Sequence, residues 1–215
     1  MLSKLSSKYA LRQAFHMSQD QKREAILEPA VKRFAHFGVS KTTMNEISHD
    51  LAFSKALLYY YFPDKLSLYA AVLEHITAEG EIVDNQRLRD EPDPIKAILL
   101  FLDLRTDFII KYYNILEYLK KFTLATIPEE LKSIFSHLRS RELSRILEII
   151  ERGMANGNLQ VPSPKATAEL YYDFLDGFRQ ASISRKETFF PDKNDFRAIL
   201  KREKEFTSIF FKGLH

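Results

Sequence analysis

Apolar residues recur at helical spacing along most of the chain, and no segment keeps up the period-two alternation of a strand. Ile26, Ala30 and Phe34 stand four apart, flanked by Leu27, Val31 and Phe37. This spacing predicts a helix that starts at the capping box Ser18-Gln19-Asp20-Gln21 and ends at Phe37. Gly38 suits the left-handed position that closes a helix. Pro29 removes one hydrogen bond inside it and predicts a kink, not a break. A second capping box, Thr43 with Glu46, opens a short helix whose inner face is Met44, Ile47 and Leu51. Ala52-Phe53 makes the turn, and Ser54 caps a third helix to about Tyr61. Pro63-Asp64 starts a fourth, with Leu66, Tyr69, Leu73 and Ile76 at helical spacing and an extension towards Leu88.

Glu91-Pro-Asp-Pro94 reads as a linker. Beyond it the pattern predicts helices over 94–124, 128–156, 164–184 and 193–213. They are punctuated by Ile127-Pro128, Asn156-Gly-Asn158, Pro162-Ser-Pro164 and Phe190-Pro191. The expected fold class is all-α: a three-helix N-terminal domain with a helix-turn-helix, followed by a larger helical domain. The boundaries read as a basic extension over 1–17, the helix-turn-helix domain over 18–73 and the larger domain over 74–215.

Composition narrows the chemistry. Only 6 Gly and 8 Pro in 215 residues favour long helices over a turn-rich β fold. With 0 Cys, disulfides, thiolate metal sites and Cys nucleophiles are excluded. The histidines, at 16, 36, 49, 75, 137 and 215, lack metal-ligand spacing, and no phosphate-binding loop or nucleophile elbow occurs. Hence no metal, no cofactor and no enzymatic activity is expected. No run reaches the roughly 18 apolar residues of a membrane span, and residues 1–16 lack the apolar stretch of a signal peptide. A cytoplasmic protein without a membrane partner is the expectation. The net charge of +3 is unevenly spread: ten Lys/Arg against six Asp/Glu over residues 1–65 give +4, and 22 against 23 in the remainder give −1. The basic part suits a polyanion partner, and equally a solvated basic surface.

Two short helices joined by a tight turn place the second where it can enter a major groove. Ser54–Lys65 presents hydroxyls, cations and phenols, the groups that bond phosphates and base edges. Leu58 and Phe62 read as core. Tyr59, Tyr60 and Tyr61 span most of a helical turn, so at least one must be exposed.

At this point the chain resembles the TetR family of bacterial repressors. The match runs from about Arg23 to Leu73. Ile26-Leu27, Ala30, Phe34, Gly38, Thr42-Thr43, Glu46-Ile47, Ser54-Lys55, Leu58-Tyr59, Tyr61-Phe62, Lys65 and Leu66 sit at that family's spacing. Asn156-Gly-Asn-Leu159 and the Gly213-Leu214 ending are also similar. The resemblance implies a homodimeric transcriptional regulator, a repressor in most members, that binds a palindromic operator in double-stranded DNA. It implies control by a small-molecule effector held in the C-terminal domain. Carried over by position, it implies phosphate contacts from Thr42, Thr43, Tyr59 and Lys65, with Lys55, Ala56, Leu57 and Tyr60 facing the groove behind the Ser54 cap. Ala52 stands where the family usually has a turn glycine, and Leu57 where a small polar residue is common. Leu57 can touch a thymine methyl but cannot hydrogen-bond a base. The basic arm Lys4–Arg12 could add minor-groove or phosphate contacts.

In the larger domain most aromatics must be core. Phe108, Tyr112 and Tyr171 are the candidate walls of an effector pocket, with Arg105 and His137 as its polar handles. Leu170, Phe174 and Phe178 form one apolar stripe, and Phe196, Leu200, Phe206, Ile209 and Phe210 another. Paired across a two-fold axis they would make a four-helix dimer interface, centred on Leu170, Phe174, Phe178, Phe206 and Phe210. The alternative reading is a helical ligand-binding or protein-interaction module that has lost specific DNA binding.

Overall fold

A computed structural model describes residues 19–51, 54–79, 81–122, 125–184 and 192–214. The arm over 1–17, Ser18 of the first capping box, the Ala52-Phe53 turn, Leu124 and Phe190-Pro191 lie outside the described residues. The helices are α1 (Gln19–Phe37), α2 (Met44–Asp50), α3 (Lys55–Tyr61), α4 (Lys65–Glu79), α5 (Glu81–Asp90) and α6 (Pro94–Lys111). They continue with α7 (Tyr113–Leu116), a 3-10 turn (Glu117–Lys121), α8 (Glu129–Ala155), α9 (Pro164–Ser184) and α10 (Lys193–Lys212). Strands are absent among the described residues.

Local chemistry sets most of these ends. α1 passes through Pro29 as one helix and stops where Gly38, at φ 79°, donates its N–H to the Phe34 carbonyl. Asp93 caps α6 by accepting from the amides of Ile95 and Lys96, and Pro94 follows at the first helical position, where its missing N–H is harmless. Asp192 and Asp195 form a capping box at the start of α10.

The described chain falls into two compact units. The first holds the part up to Ala78 together with Asn114–Ile134. Its core is Ile26, Ala30 and Phe34 of α1, Ile47 of α2, Leu58 and Phe62 of α3, and Leu68, Tyr69 and Val72 of α4, all nearly or fully buried. Tyr69 meets Phe34 edge-on at 6.4 Å and Tyr118 at 4.9 Å, and its hydroxyl donates to the Ile115 carbonyl at 3.0 Å. Asn114 donates from Nδ2 to the Ala35 carbonyl.

These contacts explain two departures from the predicted elements. The helix expected over 94–124 ends at Lys111, with buried Tyr112 as its cap, and the chain then folds into the first unit through Asn114 and Ile115. Tertiary bonding there overrides a continuous apolar period. The extension of the fourth helix towards Leu88 is a separate helix, α5, held to α8 by a row of arginines. Arg141 pairs with Glu81, Arg145 donates to Asn85, and Arg152 donates to the carbonyls of Leu88 and Arg89.

The second unit comprises Glu79–Tyr113 and the described chain from Phe135 onward. Its core joins Ile98, Phe101 and Leu102 of α6, Ile146 and Ile150 of α8, and Tyr171 and Leu175 of α9 to Phe211 of α10. Gly153 of α8 lies where α8 meets the start of α6. A Cβ there would stand 2.6 Å from Leu159 Cδ1 and 3.0 Å from Pro94 Cβ. Helix propensity alone would make Gly153→Ala stabilising by about 1 kcal/mol. Overpacking of about 1–3 kcal/mol opposes it. Gly153→Ala is expected to lower stability, and urea unfolding checks the sign; a gain would show that Leu159 yields at little cost.

Candidate nucleic-acid interface

The helix-turn-helix pair is built by caps. Thr43 is in extended conformation at the N-cap of α2, where its hydroxyl accepts from the Glu46 amide while Glu46 Oε2 accepts from the Thr43 N–H at 2.8 Å. The Thr43 hydroxyl and amide, and then the nearby Arg33 guanidinium, hold the Glu46 carboxyl below its ordinary range. Ser54 caps α3 by accepting from the Leu57 amide at 3.2 Å. Arg33 of α1 forks onto α2, 2.9 Å from Glu46 and 2.5 Å from Asp50, with its plane over the Phe37 ring. Arg23 lies over the ring of Phe62 at the end of α3.

α3 turns one face inward and one outward. Leu58 is wholly buried and Phe62 nearly so. Ser54, Lys55, Ala56, Tyr59 and Tyr60 are exposed, Tyr60 at 69%, and Leu57 is half-buried. Lys55 Nζ rests 5.7 Å from the centre of the Tyr59 ring. Thr43 is exposed beside Lys41 at the start of α2. The outward face therefore offers a cation, two phenols, a hydroxyl-capped helix start and a methyl, which suits phosphate gripping with limited base readout.

Two residues expected at phosphate are placed differently. Thr42 is only 1% exposed, and its hydroxyl donates to the Gly38 carbonyl at 2.9 Å. Its side chain closes the loop between α1 and α2. Lys65 sends Nζ to the carbonyls of Val39 and Thr42 at 3.0 and 3.1 Å, committing two of its three N–H groups to the same loop. Burial, and then the charge of Lys121, lower its pKa. Arg33 and Asp50 were not among the residues picked out from the sequence. Seventeen residues separate them, so no local pattern marks the pair.

In the second unit the five candidate effector residues divide. Half-buried Arg105 bonds Glu142 through Nε at 2.8 Å, and the hydroxyl of buried Tyr171 meets Thr207 Oγ1 at 2.6 Å. Phe108 and Tyr112 form a ring pair at 5.0 Å, and Tyr112 donates to Glu79. His137 is exposed on α8. The candidate dimer residues form one continuous aromatic surface. Phe174 stacks on Phe206 at 3.6 Å, with Phe178 and Phe210 at 6.3 and 5.6 Å along the row. Leu170 and Ile209 stand out from it, 63% and 73% exposed.

Residues 26–72 match the family described as bacterial regulatory proteins, tetR family. Over 139 residues the chain is 30% identical to the HTH-type transcriptional repressor NicS of Pseudomonas putida, covering 64% of this chain and 66% of that protein. It is 34% identical over 86 residues to the HTH-type transcriptional regulator RutR of Escherichia coli, 40% of either chain. The matches thus span less than two thirds of the length of these two relatives. A crystal structure of a transcriptional regulator from Cytophaga hutchinsonii superposes with a TM-score of 0.79 at 30% identity, covering 90% of this chain and 98% of that one.

Because Lys65 holds two carbonyls of the loop before α2, Lys65→Ala is expected to destabilise the free protein. Hydrogen bonds from charged donors contribute about 1.5–3 kcal/mol, and partial exposure discounts this to about 1–2 kcal/mol. Thermal unfolding without DNA measures it. Unchanged stability would mean that Lys65 does not brace the loop.

Proposed function

The chain belongs to the tetR family of bacterial regulatory proteins, and on that premise we propose that it is a cytoplasmic DNA-binding transcriptional regulator, acting as a repressor. A homodimer binds a palindromic operator in double-stranded DNA, and a small-molecule effector in the C-terminal part controls that binding. The observation that carries this reading is the outward face of α3, with Lys55, Ala56, Tyr59 and Tyr60 exposed on a helix fixed from behind by Leu58 and Phe62.

The reading head spans 18–73. Thr43 and Tyr59 bind phosphate, aided by the free amides and partial positive charge at the start of α2. Lys55, Ala56, Leu57 and Tyr60 lie against base edges. Thr42 and Lys65 support the head by holding the α1–α2 loop, and Lys65 has one further N–H with which to reach a phosphate. The remainder, 74–215, carries effector binding and dimerisation. Beyond the end of α6 at Lys111, Asn114 and Ile115 bond Ala35 and Tyr69 within the first unit.

The aromatic surface of α9 and α10 supports an isologous interface. Exposed apolar patches of this kind mark association sites, and two helices from each subunit complete a bundle. No helix among the described residues is long and apolar enough to cross a membrane, so this surface is not read as a span.

Selection of bound fragments from a random DNA pool tests the function. A recovered palindrome supports it. Absence of any duplex binding at about 50 mM salt, where phosphate contacts are strongest, favours instead a helical module without DNA binding. Lys55→Ala is expected to weaken operator binding by about 1–3 kcal/mol, to relax base preference at one position of each half-site, and to weaken random DNA less, as parallel titrations on both DNAs would show. Ile209→Glu, at an exposed position, is expected to leave folding within about 0.5 kcal/mol. Sedimentation should show the monomer, and operator affinity should drop by roughly 10²-fold or more as the second head loses its effective concentration. A dimer that survives this change would remove the α9–α10 interface.

A further inference from the structure

In the second unit, charged side chains from α6, α8, α9 and α10 come together, Arg179 and Glu203 buried and Arg105 and Glu142 half-buried. Arg105 of α6 pairs through Nε with Glu142 of α8 at 2.8 Å. Arg179 of α9 forks onto Glu203 of α10, Nε to Oε1 at 3.1 Å and Nη2 to Oε2 at 2.9 Å. Glu203 is wholly buried and Arg179 is 7% exposed. The two guanidinium groups sense each other: burial, and then the charge of Arg105, lower the Arg179 pKa. On Arg105, burial acts in the same direction, but Glu142 and Glu203 outweigh it, and its pKa is raised. Tyr172 lies under Arg105, its ring centre 5.9 Å away, and Tyr171 stacks among Phe206, Phe210 and Phe211 beside the pair.

Each guanidinium retains one buried donor. Arg105 Nη1 and Arg179 Nη1 are shielded from solvent and have no hydrogen-bond partner among the described residues. Leaving a buried donor unsatisfied costs about 1–3 kcal/mol, and more on a charged group. Apolar side chains of similar volume would be at least as stable as such ion pairs. An acceptor from outside the chain would satisfy both of these donors.

The charges select the kind of acceptor. Two cations already face two carboxylates, so the four groups sum to zero. An entering anion would lose its hydration, a cost of several kcal/mol, and would meet Glu142 and Glu203 as well as the arginines. A carbonyl oxygen has two lone pairs, enough to accept one N–H from each Nη1, and brings no net charge. The surrounding rings favour an apolar or aromatic body behind it.

We propose that this cluster is the effector site, and that it binds an uncharged carbonyl compound with an apolar body through Nη1 of Arg105 and Arg179. The proposal rests on the reading of the chain as a ligand-controlled regulator and names the ligand class. Because Arg179 ties α9 to α10, and Arg105 ties α6 to α8, an acceptor that recruits both donors acts on the dimer helices and on the helix leading to the head together.

The test uses the full chain with arginine side-chain nitrogens labelled for NMR, and benzamide, benzoate and toluene as probes. Benzamide is expected to shift the Nη resonances of Arg105 and Arg179 and to raise the melting temperature. Toluene lacks an acceptor and benzoate carries a charge, so both should do markedly less. Arg105→Lys keeps the charge facing Glu142 but loses the forked donor, and should weaken benzamide by roughly tenfold, about 1.4 kcal/mol. Wild-type NMR reads the site even if Arg105→Lys does not fold. The proposal is overturned by no response to benzamide, by a stronger response to benzoate, or by an equal response in Arg105→Lys. DNA affinity separates the two readings. Benzamide shifts at the arginines with unchanged DNA binding support the site and remove effector control through it. Release of DNA by cell metabolites without any arginine shift keeps the control and overturns this site.

Discussion

The fully buried ring of Tyr69 is the contact on which the reading head depends. It fills the space between α4, α1 and the 3-10 turn, edge-on to Phe34 and Tyr118, and gives its hydroxyl to the Ile115 carbonyl. Burial drives its pKa well above the ordinary phenol value, so it stays a neutral donor throughout the working pH range. Truncating a buried aromatic removes about 3–5 kcal/mol, whereas an exposed ion pair contributes about 0–1 kcal/mol. Packing around Tyr69 and Phe34 is the larger contribution holding α4 against α1, and the polar ties of Lys65, Arg33 and Arg23 add to it. Those ties set the finer geometry: Lys65 and Thr42 hold the α1–α2 loop, Arg33 aligns α2, and Arg23 closes over the end of α3.

How legible each feature was in the sequence depends on how local its cause is. Thr43 with Glu46, Ser54, and Gly38 after Phe34 act within one turn of chain, so the end of α1 and the starts of α2 and α3 could be read directly. The apolar period also assigned Leu58 and Phe62 to the core, and the three-tyrosine run required an exposed phenol, which Tyr60 is. What a position does with its polar atoms was less legible. Thr42 and Lys65 have the residue types of phosphate ligands, yet their hydrogen bonds go to carbonyls at Gly38, Val39 and Thr42. A loop carbonyl and a phosphate oxygen are alike as acceptors, so residue type alone does not separate them. The break after Lys111 was hidden for a related reason: the bonds that cause it come from Ala35, Tyr69 and Glu79, far away in sequence.

α10 shows a face that apolar spacing does not reveal. Its buried residues are Phe196, Ile199, Glu203, Thr207 and Phe211, a regular helical stripe with two polar members. A scan for apolar spacing passes over that stripe and finds Phe206, Ile209 and Phe210 on the neighbouring face. The polar members are matched by α9, Tyr171 with Thr207 and Arg179 with Glu203, in the reversed order that antiparallel helices require. Thr207 gives its own proton to the Glu203 carbonyl, which makes Tyr171 the donor in their bond. Both matches demand particular partners, so sliding α10 by one turn would leave a buried carboxylate and a guanidinium unpaired. Such a mismatch costs about 3–5 kcal/mol, while sliding one apolar stripe over another costs far less. The polar pairs therefore set the register of the two helices. That register brings Phe174 onto Phe206 and leaves Leu170 and Ile209 outward. The exposed aromatic surface of α9 and α10 is thus fixed by the buried charges behind it.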